Sequence, residues 1–447
     1  MRENALCALV AGAASFAMGW LGLSGFAWSD YETEAKPAFD ALTDGRVLEF
    51  LRLAPAYGGS LVERAPFALL PGLWGGGQLA VYRMVAVPCL LAGAAFAVWL
   101  CAQMRAAGRP ALWRALAVGV CVANPMTMQA LETGHPEELL GACMCAAAVL
   151  LALRGRALWA GILLGLAIAN KEWALLAAGP VLLALPDLKR ARLACLASAC
   201  ATSAFVLAPL ALAGGAFSTV LGKTAVASTT ASFPIFQPWQ AWWFFGRHAG
   251  LVVQEGTPLR GYRVGPAWTG AISHPLILAF GLAAAAMLWL VRRRDAGSSS
   301  VSASDALLLS ALVLLARCVL DTWDTGYYML PFSIALLTWE TIGRGRAPVL
   351  TLAGAIAPWL ALVELSPHVS PDAQAALFLV WTLPLASALA LRLYAPGLAD
   401  QLLRMAGHRI PAAGMPPASG SPAQTPTAGS PAQEITVSSV GSPVSVS

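Results

Sequence analysis

The sequence predicts an all-α fold, a polytopic membrane bundle of about twelve transmembrane helices, on three observations. Of the 447 residues, 58% are hydrophobic and only 11% are charged, which is more apolar surface than a soluble domain can bury. The apolar residues gather in runs of about 20, the length that crosses a bilayer as a helix. After about residue 394, Pro, Ser, Ala and Gly dominate, so residues 394–447 are expected to form a disordered cytoplasmic tail. Residues 1–393 then form one transmembrane domain.

Twelve apolar runs, several of them short, are separated by polar links, and each is a candidate membrane span. The first run follows Arg2 and resembles a signal peptide, but its length and the terminal Trp28 favour a retained span. The twelve runs cover residues 5–28, 80–103, 112–131, 137–153, 157–170, 172–186, 192–214, 270–291, 305–320, 326–342, 347–365 and 372–393.

Basic residues fall mainly in alternate links, which predicts the orientation of the bundle. Links rich in Lys and Arg stay in the cytoplasm, so both termini are expected inside. The preference for Arg over Lys, with abundant Ala and Gly, is typical of a GC-rich bacterial genome, and we expect a bacterial plasma membrane. The outer face then carries two long loops, at about 29–79 and 215–269. The basic inner links contain Arg105, Arg109, Arg114, Arg154, Arg156, Lys189, Arg190, Arg192, Arg292, Arg293, Arg294, Arg344 and Arg346.

The first outer loop opens with a crowded acidic stretch, "WSDYETEAKPAFDALTDG", directly after the first span. Outer loops are poor in Lys and Arg, which accounts for the sign of these charges but not for their crowding at one helix end. A carboxylate at this position is therefore a candidate for chemistry at the outer membrane surface. The five acids are Asp30, Glu32, Glu34, Asp40 and Asp44.

The third apolar run is interrupted at Asn124-Pro125, because the residue before a proline avoids the α region. A new helix is expected to begin near Pro136, with Glu137 and Glu138 in its first turn. Two interpretations stay open there. The two acids suit a helix N-terminus for electrostatic reasons alone, or Glu138 lines a polar cavity together with His135.

Residues 157–186 predict a short hairpin with a charged tip. Each arm is too short to cross a hydrocarbon core about 30 Å thick. Its tip, with Lys171, is therefore expected to lie below the outer surface and to be enclosed by protein. Because charge at membrane depth is costly and usually functional, Lys171 is a candidate site residue.

Two further outer segments leave alternatives open. Arg317 lies inside an apolar run, with Asp321 and Asp324 after it; a spacing of four residues lets Arg317 and Asp321 simply pair with each other. The second outer loop contains "FPIFQPWQAWWFFG", an aromatic cluster that either anchors the loop at the membrane interface or cradles a lipid-linked substrate.

Carboxylates beside buried cations at the water–lipid boundary suit sugar transfer from a lipid phosphate. A sugar hydroxyl attacking an anomeric carbon needs a carboxylate base, and a leaving phosphate needs Lys or Arg. No G-x-G-x-x-G or P-loop pattern is present, and no nucleotide is available outside the cell, so the donor is expected to be a lipid carrier. The nine Cys lack metal-binding spacing. We expect no cofactor and no metal site; a divalent ion on the outer carboxylates is conceivable but not implied.

Three motifs carry a resemblance to a known family, and they occur in the expected order over about residues 10–335. The motifs are Asp30-Tyr31 with a small-residue helix and Gly45, then Asn124-Pro125, Gly134-His135 and a span ending in Lys171, and finally "WDTGYYMLP" at residues 323–331. On these motifs the chain resembles the polytopic GT-C glycosyltransferases, specifically the GT87 type that use polyprenyl-phosphate sugars.

The resemblance implies a GT-C-like bundle in which Asp30 is the general base and Lys171 binds the lipid phosphate. His135 stands where the family has Gln, and the His of the third motif is absent, with Tyr327 or Asp324 as its candidate replacement. The residues expected to bind substrate are Glu32, Glu34, His135, Glu138, Lys171, Arg317, Asp321, Asp324 and Tyr327.

The predicted function is transfer of mannose or arabinofuranose from a polyprenyl-phosphate donor to a cell-envelope glycan or glycolipid on the outer face. The expected partners are that donor, the acceptor and membrane lipid, with no nucleic acid. The main alternative is a polytopic transporter or flippase, because broken helices with charged tips are also typical of transporters. A lipid-phosphate transferase of another type and a structural scaffold are weaker alternatives.

Overall fold

A computed structural model describes residues 2–24, 30–186, 188–215, 237–249, 251–254, 257–296 and 301–408. The predicted all-α fold is confirmed, since helices make up most of the described chain. The α-helices are α1 Arg2–Ser24, α2 Lys36–Thr43, α3 Val47–Leu53, α4 Gly58–Ala68, α5 Gln78–Ala106, α6 Ala111–Val122, α7 Pro125–Thr133, α8 Glu137–Ala152, α9 Ala157–Asn170, α10 Ala178–Ala184, α11 Lys189–Ala213, α12 Ala267–Ala296, α13 Ala303–Leu320, α14 Met329–Thr338, α15 Val349–Pro358, α16 Pro371–Tyr394 and α17 Pro396–His408.

Shorter elements connect these helices. Four short strands form two antiparallel pairs in the second outer loop, β1 with β4 and β2 with β3. The strands are β1 Arg247–His248, β2 Leu251–Gln254, β3 Thr257–Arg260 and β4 Arg263–Val264. The π-helical turns are Tyr31–Ala35, Trp339–Gly343 and Trp359–Glu364, and the 3₁₀ turns are Leu70–Trp74, Glu172–Ala177, Trp243–Phe245, Gly326–Tyr328 and Ser366–His368.

Eight helical stretches in the described chain are long and apolar enough to cross a membrane. The other four predicted runs fall on helices too short to span alone, namely α8, α9, α10 with its preceding 3₁₀ turn, and α14. A count of about twelve spans therefore stays a prediction. The eight stretches are Ala5–Ser24, Gln78–Ala106, Ala111–Thr133, Lys189–Ala213, Trp268–Arg294, Ala303–Leu320, Val349–His368 and Pro371–Tyr394.

Helix α13 forms the centre of the bundle. Of its apolar window, 78% is buried inside the protein, against 22–44% for the other seven stretches. A helix that is apolar on all sides is typical of such an enclosed position. Arg317, in its last turn, is therefore carried into the protein interior rather than toward lipid.

The predicted helix break at Asn124-Pro125 is confirmed. Helix α6 ends at Val122, and the Asn124 side chain caps α7 by accepting a hydrogen bond of 3.0 Å from the backbone N–H of Met126. Helix α7 ends at Thr133, and the next residue, Gly134, has a φ of 102°, a left-handed conformation that favours glycine. A Cβ there would lie 2.7 Å from the backbone nitrogen of Tyr31, so this glycine lets the next residue, His135, approach the acidic stretch.

The predicted hairpin is present, and its tip is buried. Helix α9 ends at Asn170, and Lys171 is extended (φ −154°, ψ 136°) before the 3₁₀ turn. Helix α9 packs closely on α11 through Gly161 and Gly165, because a Cβ on either would lie 2.2 or 2.5 Å from a backbone oxygen of α11. This contact holds the short hairpin in the bundle.

The described part of the second outer loop is fastened to α16. The Arg263 guanidinium donates to both Asp372 oxygens, at 2.8 and 2.9 Å, and the Trp243 indole donates to Oδ1 of the same carboxylate at 2.7 Å. Phe244 and Phe245 are exposed beside it, so both interpretations of the aromatic cluster stay open. Its first part, residues 216–236, lies outside the described residues.

The C-terminal segment differs in part from the expectation. The chain divides into a unit of residues 1–399 and a second of 400–447. Residues 396–408 of the expected tail form helix α17, because Leu398, Leu402 and Met405 recur at helical spacing. The rest of the expected tail, residues 409–447, lies outside the described residues.

The contact between α9 and α11 leads to a prediction about stability. Changing Gly161→Ala places a methyl group against the backbone of α11 and should destabilise the protein by about 1–3 kcal/mol. Thermal unfolding in detergent measures this loss. Gly119→Ala is the matched control, because a Cβ at Gly119 in α6 meets nothing within 4 Å. Equal unfolding temperatures for the two variants would contradict the close packing.

Candidate active site

Asp30 is the first described residue after α1 and directly precedes the π-helical turn Tyr31–Ala35. The turn is fixed by Tyr31, which is buried with its ring 4.5 Å from that of Tyr82. The Asp30 side chain is 36% exposed, and its Oδ2 lies 3.3 Å from Nε2 of His135. This carboxylate is thus accessible on one side and in contact with the protein interior on the other.

His135 is the link between Asp30 and the buried charges. Its ring is enclosed between the rings of Tyr57 and Tyr327, with centroids 5.5 and 4.9 Å away. Nδ1 lies 2.8 Å from Oε1 of Glu137, while Nε2 faces Asp30, so both nitrogens meet carboxylate oxygens. Only the imidazolium can donate on both sides.

The charges around His135 favour its protonated form. Burial lowers the pKa of the imidazole, and so does Lys171, whose Nζ is 3.4 Å from Nδ1. The carboxylates of Glu137 and Asp30 act in the opposite direction and outweigh both, so the pKa of His135 is raised above its ordinary value.

Lys171 is enclosed by protein, as the short hairpin predicted, and it lies next to His135. Only 9% of its side chain is exposed, and Nζ lies 3.2 Å from Oε1 of Glu137 and 3.2 Å from Oε1 of Glu138. Its ammonium also sits over the Tyr57 ring, 4.4 Å from the centroid. A buried ammonium needs such partners, because leaving it unpaired would cost several kcal/mol.

Glu138 joins Lys171 to Arg317. It is fully buried, and its Oε1 is 4.0 Å from Nη2 of Arg317. Neither Glu138 oxygen accepts a hydrogen bond of good geometry, and neither does Nη1 of Arg317 donate one. Arg317 stacks over Tyr328, 4.1 Å from the ring centroid. Glu138 was a candidate for lining a polar cavity. In the structure its carboxylate faces the side-chain cations of Lys171 and Arg317.

Asp321 and Asp324 differ in their partners and in their surroundings. Asp321 lies 3.6 Å from Nε2 of His274 and accepts a 3.0 Å hydrogen bond from the Trp323 backbone. Among the described residues, Arg317 and Asp321 form no direct ion pair. Asp324 is fully buried, and its burial raises the pKa of its carboxyl well above the usual range, which favours the protonated form.

The remaining predicted residues lie at the exposed edge of the site. Glu34 accepts a 2.6 Å hydrogen bond from the Tyr57 hydroxyl, and its Oε2 is 4.0 Å from Nε2 of His135. Glu32 is exposed on the same turn. The structure therefore brings together one connected cluster, while Glu32, Asp321 and Asp324 are not among the described contacts of His135 or Lys171. The predicted residues in the cluster are Asp30, Glu34, His135, Glu138, Lys171, Arg317 and Tyr327.

Three members of the cluster were not predicted as site residues: Tyr57, Arg64 and Glu137. Arg64, in α4, is 2% exposed, and its Nη2 lies 3.1 Å from Oε2 of the fully buried Glu137. The only sign in the sequence that Arg64 has a special role is its position, as an arginine inside the apolar segment "SLVERAPFALL". Its partner is 73 positions away in the chain, beyond the reach of spacing rules.

The cluster combines a water-accessible carboxylate with three buried cations, of Arg64, Lys171 and Arg317, and two buried carboxylates. Such a site can accept a proton at its edge and hold an anion in its interior. Within the described residues, no group of three or more His, Cys, Asp or Glu is arranged to hold a metal ion.

Comparisons with known proteins identify the family. The sequence profile of glycosyltransferase family 87 matches residues 59–319, which is more than half of the chain. The chain matches no curated protein and no solved structure. The matched range includes His135, Glu138, Lys171 and Arg317 but ends short of Asp30 on one side and of residues 321–327 on the other. The resemblance seen in the sequence is thereby confirmed: the chain belongs to glycosyltransferase family 87 and is a membrane glycosyltransferase.

Proposed function

We propose that the protein transfers mannose or arabinofuranose from a polyprenyl-phosphate donor to a glycan or glycolipid of a bacterial cell envelope. Transfer takes place on the outer face of the plasma membrane, with both chain termini in the cytoplasm. The observation that carries the proposal is the short path of contacts from Asp30 through His135 to Lys171. It joins a proton acceptor at the protein surface to a cation beneath it.

In the proposed reaction, an acceptor hydroxyl attacks the anomeric carbon of the donor sugar. Asp30 takes the hydroxyl proton as the new glycosidic bond forms. The bond between the anomeric carbon and the phosphate oxygen breaks, and its electron pair leaves with the lipid phosphate. Lys171 and Arg317 stabilise the charge that develops on that phosphate.

The surroundings of the two cations support this role. Arg317 is 5% exposed, and its Nη1 lacks a hydrogen-bond partner, so it retains a donor for a phosphate oxygen. Lys171 and Arg317 share Glu138 as a counter-ion, which holds both before a substrate arrives. In such an interior, charge interactions are several-fold stronger than in water.

The outer edge supplies groups for sugar hydroxyls. Glu32 and Glu34 lie on the exposed turn after Asp30, and Tyr327 lines the other side of His135. In the proposal they orient the sugar and the acceptor, with Asp321 and the buried Asp324 behind them. No cofactor or metal takes part. The outward orientation of this edge is supported by the arginine-rich links of the opposite face.

Changing Asp30→Asn should remove the proton acceptor and keep the shape of the side chain. General base catalysis contributes about 10²–10⁴-fold to a rate, so sugar transfer should fall by that factor while the unfolding temperature stays constant. The measurement is label transfer in membranes given radiolabelled polyprenyl-phosphate mannose or polyprenyl-phosphate arabinofuranose, and the label that moves identifies the sugar.

The control is Asp44→Asn, an exposed acid of the same loop that pairs with Arg46 at 2.9 Å. It should keep wild-type activity. Full activity of the Asp30→Asn protein would exclude Asp30 as the base. Movement of a solute across liposomes by purified protein, without any transfer of label, would favour the transporter alternative.

Changing Lys171→Met should slow catalysis, because it removes a donor that stabilises the charge on the leaving phosphate. Loss of one buried donor to a developing charge typically costs about 10²–10³-fold in rate. We expect kcat/KM for the polyprenyl-phosphate donor to fall by this factor, and Lys171→Arg to restore part of it. Because Lys171→Met leaves Glu137 and Glu138 short of a partner, thermal unfolding is measured in parallel. A folded Lys171→Met protein with wild-type kcat/KM would contradict the assignment.

A further inference from the structure

The ion pair between Arg64 and Glu137 lies beneath the proposed catalytic site and has no access to solvent. The two side chains are 2% and 0% exposed, with 3.1 Å between Nη2 and Oε2. Burying two charges costs several kcal/mol per ion, and apolar residues of similar size are often as stable. A stabilising role alone therefore does not explain why α4 and α8 meet through charges.

Glu137 uses its other carboxylate oxygen for the active site. Oε1 lies 2.8 Å from Nδ1 of His135, with Oε2 turned to Arg64. Its backbone oxygen accepts a 2.9 Å hydrogen bond from the Asn170 side chain, which fixes the start of α8 against the hairpin tip. The carboxylate thus contacts His135 through Oε1 and Arg64 through Oε2, and the Arg64 contact is an ion pair without hydrogen-bond geometry.

The titratable and charged groups that contact His135 come from several segments of the described chain. Three carboxylates face the ring and one ammonium opposes them, so the balance favours a charged imidazole. Without the nearest carboxylate, the ammonium and the buried surroundings would favour the neutral ring. The groups are Asp30 and Glu34 from the first outer loop, Tyr57 before α4, Glu137 from α8, Lys171 after α9 and Tyr327 from the 3₁₀ turn.

We propose that Glu137, held in place by Arg64, is a positioning residue that keeps His135 as an imidazolium directed at Asp30. The imidazolium in turn keeps Asp30 ionised, which a general base must be before it can accept a proton. This inference rests on the proposed role of Asp30. In this proposal, the contacts from Arg64 through Glu137 to His135 set the pH range in which the enzyme works.

The inference predicts a change in pH dependence that a purely structural ion pair would not cause. Changing Glu137→Gln removes the charge that holds the imidazolium, so the neutral ring is favoured and Asp30 loses the cation beside it. The acid limb of the kcat/KM profile should then move to higher pH. We expect the limb to move by about half a pH unit to one pH unit, because the effect of a nearby charge, about 1–3 units at a buried carboxyl, is weaker at a partly exposed one.

The experiment measures the pH profile of sugar transfer for wild type, Glu137→Gln and a matched control, Glu340→Gln. Glu340 is also a buried carboxylate, and it accepts hydrogen bonds from the backbone N–H groups of Leu350 and Thr351 at the start of α15. Its neutralisation should lower the unfolding temperature without moving the profile. Glu137→Gln activity that falls equally at every pH, with an unshifted acid limb, would overturn the inference.

Two further measurements keep the test decisive. The double variant Arg64→Met/Glu137→Gln removes both buried charges and should show the same shift without an unpaired cation. In the wild type, ¹⁵N NMR of the histidine side chains, assigned by subtracting the His135→Gln spectrum, should show an imidazolium at the pH of full activity. A neutral His135 there would overturn the inference whatever the variants do.

Failure of the proposed function gives a different result. If Asp30→Asn keeps the wild-type activity and acid limb, Asp30 is not the base, and the proposed function fails. If Asp30→Asn abolishes transfer while Glu137→Gln leaves the acid limb unshifted, the assignment of Asp30 as the base is retained. Only the positioning role of Glu137 is then wrong.

Discussion

The structure depends on the ion pairs made by two adjacent glutamates at the start of α8. Glu137 and Glu138 are fully buried, and together they hold Arg64, Lys171 and Arg317, which come from three other parts of the chain. In an interior of low dielectric constant, leaving any of these cations without such a partner would cost several kcal/mol. The pairs therefore fix where α4, the hairpin tip and α13 meet, and the candidate active site lies at that meeting point.

Breaks in the helices serve the same arrangement. A continuous helix through Asn124-Pro125 and Gly134 would carry His135 and the two glutamates away from the first outer loop. The extended residue Lys171 likewise ends α9 early and turns its ammonium toward α8 rather than toward water. Irregular backbone at membrane depth is tolerated where protein encloses it, and the enclosed cluster meets that condition.

Local features of the site were predictable from the sequence, whereas its long-range pairing was not. A proline break and a hairpin too short to span are properties of neighbouring residues, and both are present. Arg64 and Glu137 lie in segments that are far apart in the sequence, and no periodic pattern of residues predicts that they pair. The Arg317–Asp321 pair was a reasonable alternative from spacing, but α13 ends at Leu320, and the extended Asp321 instead pairs with His274. Eight stretches of the described chain are long and apolar enough to cross a membrane, and the count of about twelve spans stays a prediction, because apolar helices such as α8 and α9 are short.

The central claim is that Asp30 and His135 act as one unit in sugar transfer. A double-mutant cycle tests it most directly, with kcat/KM measured for wild type, Asp30→Asn, His135→Gln and the double variant. When two residues act as a unit, replacing either one removes most of their joint contribution, and replacing the second adds little. The double variant should therefore be about as slow as Asp30→Asn alone. If the two losses instead multiply in the double variant, the residues act independently, and the proposed coupling between the surface carboxylate and the buried charges is wrong.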